Sequence, residues 1–197
     1  MNAQKRTDIE LLSAFSQGDK QALEQLIKRY ERKVYVYILM MVHQPQLAED
    51  LTQDTFVKAI QSLKRGQYAE DNKFGSWIIR IAHNIAIDHF RRNKQRQELL
   101  SGNYDYDLFA SQRLSEANAE QRMVYAQVLA DVRALVETLP MEQREVVLLR
   151  YYGELSFKEI ADLTDVSINT ALGRMRYALI NMRKTMESKQ MNMQLSM

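Results

Sequence analysis

The stretch from Ser156 to Lys184, SFKEIADLTDVSINTALGRMRYALINMRK, constrains the fold more than any other, because it holds two helical patterns separated by only a few residues. Ser156 followed by Glu159 is a capping box, in which a hydroxyl and a carboxylate satisfy helix-start amides that otherwise lack partners. One helix therefore begins near Phe157. Asp165 breaks the pattern and Ser167 caps a second helix from about Ile168, along which Ile168, Ala171, Leu172, Met175, Ala178, Leu179 and Met182 recur at three- and four-residue spacing. A short capped helix, a small residue at Ala161 where two helices can approach, a turn and a basic second helix make a helix-turn-helix. The other faces of the second helix hold Asn169, Thr170, Gly173, Arg174, Arg176 and Tyr177, with no acid between Arg174 and Lys184. About 17 residues at 1.5 Å each make a rod of roughly 25 Å, enough to lie across a major groove. Arginine and asparagine there can read base edges, although many basic helical faces are simply solvated.

The rest of the chain also reads as helix. Thr7 and Glu10 form another capping box, and Ile9, Leu11, Leu12 and Phe15 supply an apolar side before Gly18. Asp19 caps a long helix carrying Leu23, Leu26, Ile27, Tyr30, Val34, Tyr37, Ile38 and Met41 up to Pro45. A third helix, from about Gln46, carries Leu47, Leu51, Phe56, Val57, Ile60 and Leu63 and ends at Lys64, Arg65 and Gly66. After the polar loop KRGQYAEDNK a fourth begins around Phe74, with Phe74, Trp77, Ile78, Ile81 and Ile85 on a buried stripe and Arg80, Asn84 and Arg91 on another side. From Gln97 to Leu114 periodicity is lost, and SGNYDYD reads as linker. Helicity returns with Ser115 and a stripe from Met123 to Leu139. Pro140 then opens a helix holding Val146, Val147, Leu148 and Leu149, with Gly153 at its end. The tail SKQMNMQLSM is expected to fray. The expected fold class is all-α, with two small helical domains, 1–96 and 115–197, joined by a polar linker, 97–114; the C-terminal one is a helix-turn-helix.

Composition narrows the function. Zero cysteines exclude disulfides and thiolate metal sites, and the three histidines at 43, 83 and 89 lack a spacing suited to a shared ion, so neither metal nor cofactor is expected. No stretch approaches the roughly 18 consecutive apolar residues that span a bilayer, and MNAQKRTDIE has no signal-type apolar run, so a cytoplasmic location is expected. The net charge of +2 conceals an uneven distribution: four of the six residues from Arg91 to Arg96 are basic, whereas six acids face two bases between Glu98 and Asp131. The run RRNKQR suits phosphates of any sequence and equally suits a solvated helix end. Phe74 and Trp77 have the chemistry to stack on unpaired bases, but their register favours core. Asp50 and Asp54, four apart on one helix, are by themselves a solvated face. With no nucleophile, phosphate loop or paired carboxylates in a pocket, an enzyme is not expected.

Two segments resemble one family. LPMEQREVVLLRYYGELSFKEIADLTDVSINTALGRMRYAL, residues 139–179, resembles the second conserved domain of bacterial extracytoplasmic-function (ECF) sigma factors. It departs from the usual pattern at Thr164 and Asp165, where an apolar residue and glycine are common, and at Ala171, Leu172 and Gly173, where valine, lysine and serine often stand. AEDLTQDTFVKAIQSL, residues 48–63, with FGSWIIRIAHNIAIDHFRR, resembles the first conserved domain. Asp50, Gln53, Asp54 and Phe56 meet one family motif, and Trp77, Arg80 and Asn84 another.

The resemblance implies a transcription initiation factor that binds core RNA polymerase, directs it to specific promoters and assists their opening. It implies polymerase binding by Asp50, Gln53, Asp54 and Phe56, and minus-ten contacts by the loop 64–73 with Lys73, Arg80, Asn84, Arg91 and Arg92. It implies minus-thirty-five contacts by Asn169, Thr170, Arg174, Arg176 and Tyr177. The implied partners are core polymerase, promoter DNA and an anti-sigma factor, often membrane-bound in the family, with no small-molecule substrate. The alternatives are a dimeric helix-turn-helix regulator sensing a ligand through its N-terminal half, which has no use for the Gln53 and Trp77 motifs, and a DNA-processing enzyme.

Overall fold

The computed structural model describes residues 6–68, 73–100 and 134–188, with backbone alone from 94 to 100, and every regular element among them is helical. Helices α1 (Asp8–Ser16), α2 (Lys20–Val42), α3 (Pro45–Lys64) and α4 (Phe74–Leu100) come first, then α5 (Met141–Tyr151), α6 (Phe157–Thr164) and α7 (Ile168–Ser188). They group into two compact units, Met1–Leu100 with Tyr151–Leu155, and Ser101–Arg150 with Ser156–Met197.

Helix starts follow local chemistry. The Glu10 amide donates to Thr7 Oγ1 at 3.3 Å while the Thr7 amide donates to Glu10 Oε2 at 2.7 Å. Ser156 and Glu159 repeat the exchange at 3.2 and 2.7 Å. Asp19 Oδ1 accepts from the Gln21 and Ala22 amides at 2.9 and 3.3 Å, and the Thr170 amide donates to Ser167 Oγ at 3.0 Å. Helix ends are equally local. Asp165 takes φ 53°, a left-handed position that a short polar side chain tolerates, which lets the chain turn from α6 into α7. After α5 it is Glu154, at φ 56°, and not Gly153 that adopts the left-handed conformation.

In the first unit α2 packs on α1, α3 and α4, and α3 packs on α4. Leu11, Leu26, Val34, Ile38, Ile78 and Ile79 are fully buried, each side chain contributing about 1.5–3 kcal/mol on leaving water. Buried polar groups find partners: Thr52 and Thr55 hydroxyls donate to the Ala48 and Leu51 carbonyls at 2.6 and 2.7 Å, and Tyr37 Oη lies 3.0 Å from His83 Nδ1. In the second unit α6 packs on α7, and Ile160, Ala161, Ala171 and Ala178 are buried there, the three alanines being small enough to let two helices approach.

Several residues leave their expected apolar stripes. Ile9 and Val57 are about half exposed, and so are Ile168, Leu172 and Leu179 on α7. Eight residues of α6 cannot cover the 21 of α7, so among the described residues full burial on α7 is confined to Ala171 and Ala178. Helix α4 runs on to Leu100, into the stretch read as linker, through Gln97, Glu98, Leu99 and Leu100, all favourable helix formers. The remainder of that linker, most of the helix expected from Ser115, loop residues 69–72 and the tail from 189 lie outside the described residues. The described stretch ahead of Pro140, helical over 134–137, buries Leu135, Val136 and Leu139.

Candidate nucleic-acid interface

Three exposed helical faces carry the candidate residues. On α3, Asp50, Gln53 and Asp54 are exposed and share one side through their spacing of three and four. Val57, one turn further along that side, is 54% exposed, whereas Phe56 is half-buried on the flank. The surface therefore offers two carboxylates, an amide and an apolar contact, which suits a protein partner presenting cations around a hydrophobic patch. Val57 escaped the sequence reading because valine in an apolar stripe reads as core. The signal available was its phase with Asp50, Gln53 and Asp54.

On α4, Arg80, Asn84 and Arg91 fall on one side at spacings of four and seven, with Arg80 half-buried and the other two exposed. Lys73 is exposed just before the helix. Arg92 is exposed about a quarter to a third of a turn away, and its Nε donates to the Asp88 carbonyl at 3.2 Å. Arg91 stands 3.9 Å from the Asp88 carboxylate, a largely exposed pair that adds little stability. At the start of the helix, Phe74 is buried and Trp77 half-buried, their ring centroids 5.4 Å apart, and Tyr68 closes on both at 5.9 and 5.0 Å. The rings engage one another: Phe74 is the core residue its register predicts, whereas Trp77 keeps part of its surface exposed. Tyr68, set in a polar loop, gave no periodic signal of this role.

On α7, Asn169, Thr170, Arg176 and Tyr177 are exposed, Tyr177 by 61%. Arg174 stands apart at the edge of this group. Its side chain is only 25% exposed and its Nη1 lies 3.8 Å from Glu145 Oε2 of α5. Two turns on, Asn181 Nδ2 donates to Gln143 Oε1 at 2.8 Å, so one edge of α7 is fastened to α5 by two polar contacts. Burial pushes the Glu145 carboxyl up to about 7 against the pull of Arg174, with Glu142 raising it further. No sequence pattern flagged Glu145; the available clue was that Arg174 and Asn181, seven apart, share an edge.

Among the described residues no histidine, cysteine and carboxylate group could hold a metal ion, and no helix is long and apolar enough to cross a membrane. His83 is a core residue, its imidazole pushed down to about 4 by burial and then by Arg91. The chemistry on offer is therefore cationic and amide donors over two helical faces, and a carboxylate-rimmed face on a third.

Residues 26–96 match the sigma-70 region 2 family and residues 129–176 the sigma-70 region 4 family. The RNA polymerase sigma-H factor of Pseudomonas aeruginosa is 28% identical over 170 residues, covering 85% of this chain and 87% of that protein. The ECF RNA polymerase sigma-E factor of Haemophilus influenzae is 27% identical over 191 residues, 95% of this chain and 97% of that one. The sigma factor RpoE of Bartonella quintana, solved in complex with the anti-sigma factor NepR, has the same fold. It superposes with a TM-score of 0.65 at 17% identity, over 83% of this chain and 96% of the other.

Proposed function

The chain belongs to the ECF family of RNA polymerase sigma factors, and from that premise we propose how its residues divide the work of initiation. As a sigma factor it binds core RNA polymerase, directs it to specific promoters and assists their opening. The α3 face of Asp50, Gln53 and Asp54, extended by Val57 and flanked by Phe56, docks on the polymerase. Lys73, Arg80, Asn84, Arg91 and Arg92 hold the minus-ten element. Asn169, Thr170, Arg176 and Tyr177 meet the minus-thirty-five element, with Arg174 reaching DNA only beside its bond to Glu145. The three roles divide between an N-terminal domain of residues 1–96 and a C-terminal one of 115–197. RNA synthesis stays with the polymerase, so this chain carries no catalytic step, and the site of action is the cytoplasm. An anti-sigma protein that masks the polymerase-binding surface is the inhibitor this reading expects.

The observation that carries the reading is the exposed carboxylate face of α3 lying in the same unit as the cationic face of α4, with a helix-turn-helix in the other unit. A purified transcription assay tests it. Core polymerase with this protein should select promoters bearing two spaced motifs from a random library, and Asp50→Lys with Asp54→Lys should abolish co-purification while circular dichroism stays helical. Undiminished co-purification would remove α3 from the interface, and failure to initiate on any library member would overturn the division of roles.

A further inference from the structure

Four aromatic rings meet at the start of α4, and one of them belongs to another helix. Tyr30 of α2 lies edge-on to Phe74 with centroids 5.2 Å apart, and Phe74 in turn contacts Tyr68 and Trp77. Gly75 leaves room for this ring and no more, since a Cβ there would stand 3.0 Å from Tyr30 Cε1. On its far side the Tyr30 hydroxyl donates to Asp8 of α1, and Asp8 also accepts from Arg29, whose other nitrogen donates to the Arg6 carbonyl at 2.6 Å. Burial first, and then the bond to Asp8, hold the Tyr30 hydroxyl protonated well above its ordinary range. A continuous set of contacts thus runs from α1 through Tyr30 to the first turn of α4.

That first turn is where a helix fixes its own position least, because its leading amides lack partners within the helix. External packing must locate it, and aromatic rings are well suited to do so, being rigid and holding preferred edge-to-face geometries. Arg80 follows Trp77 by three residues and Asn84 follows Arg80 by four, so any displacement of the ring cluster is transmitted along one rod to both.

We propose that Tyr30 is a positioning residue for the minus-ten contact: anchored by Asp8, its ring sets where Phe74, Tyr68 and Trp77 stand and hence how Lys73, Arg80 and Asn84 are presented to DNA. The inference rests on the reading of α4 as the minus-ten helix. Neither Tyr30 nor Asp8 needs to touch DNA for this role.

Trp77 is the only tryptophan in the chain, so its emission reports directly on the cluster. Two variants of the full chain perturb it from opposite sides. Gly75→Ala pushes a methyl into the Tyr30 ring, and Tyr30→Phe keeps the ring but removes its bond to Asp8. With core polymerase and a promoter selected from a random library, each should shift Trp77 emission and lower the preference for that promoter over its minus-ten-substituted form by about 3- to 10-fold. Binding to core polymerase and the preference for the matching minus-thirty-five element should not change, whereas a merely destabilised protein would lose all three together. Asn84→Ala, a direct contact in the minus-ten reading, is run alongside. If it lowers minus-ten preference while Gly75→Ala and Tyr30→Phe do not, the positioning role is overturned. If all three leave the preference unchanged, the minus-ten reading itself falls. Should Gly75→Ala lose its helical circular dichroism, Tyr30→Phe, which deletes a single oxygen, carries the test.

Discussion

The two helices that carry the proposed DNA contacts are braced by different kinds of contact. Helix α4 starts inside a cluster of rings, Tyr30, Tyr68, Phe74 and Trp77, with Phe74 only 3% exposed. Helix α7 is fastened along one edge to α5 by polar pairs, Arg174 with Glu145 and Asn181 with Gln143. An apolar brace gains its energy from area removed from water and has no titrating group of its own. A polar brace gains less, depends on the protonation state of its members and is costly when one partner is lost. The proposed minus-ten helix, α4, should therefore be the stiffer and the proposed minus-thirty-five helix, α7, the more tunable.

The largest test removes the apolar brace. Phe74→Ala deletes a buried ring and should cost the first unit about 3–5 kcal/mol, read from denaturant unfolding followed by Trp77 fluorescence. A loss below about 1 kcal/mol would mean that the cluster is surface decoration and that the contrast between the two helices is false.

A second test sets the pH dependences of the two units against each other. His83 ordinarily titrates near 6.5 and in the folded first unit near 4, because burial disfavours its charged form. Between these values the unfolded chain binds more protons, so this contribution to stability is complete above about 6.5 and is lost as pH falls towards 4. Glu145 behaves the other way. Its folded value of about 7 exceeds its ordinary 4.5, so the folded second unit binds more protons between them, and stability is complete below 4.5 and lost as pH rises through 7. Each term amounts to up to about 3 kcal/mol. Raising pH from 5 to 7 should strengthen the Trp77-monitored transition and weaken the part of the helical signal that Trp77 does not report. Glu145→Gln should abolish the second slope alone. Slopes of the same sign in both units would break the comparison.

Much of this was legible in the sequence, for a physical reason. Capping boxes at Thr7 and Ser156, the Asp19 cap and the left-handed break at Asp165 are decided within a few residues, so a local reading finds them. The exposed state of Asp50, Gln53, Asp54 and Asn84 likewise follows from helical phase. What was hidden depends on partners far away in sequence. Val57 reads as core until it is found exposed, and the pairing of Arg174 with Glu145, 29 residues earlier, leaves no local signal. The Tyr30 contact with Phe74 spans two helices and a glycine whose smallness is explained only by the ring it admits.

The smallest effect gives the sharpest test of how α7 is held. Asn181 and Gln143 are half-buried and neutral, so Asn181→Ala removes one hydrogen bond and should cost about 0.5–1.5 kcal/mol of second-unit stability. Asn181 also lies outside the exposed group of Asn169, Thr170, Arg176 and Tyr177, so no DNA contact should be lost directly. If the polar edge fixes the angle at which α7 meets the groove, Asn181→Ala should still reduce discrimination between matched and mismatched minus-thirty-five elements. Gln143→Ala should do the same, and the double variant should be no worse than either single one, because both remove the same bond. Additive losses would mean that the two side chains act separately and that α7 is located by its alanine packing on α6 instead. Unchanged discrimination with the expected loss of stability would reduce this bond to a structural fastening, leaving the tuning of the helix to Arg174 and Glu145.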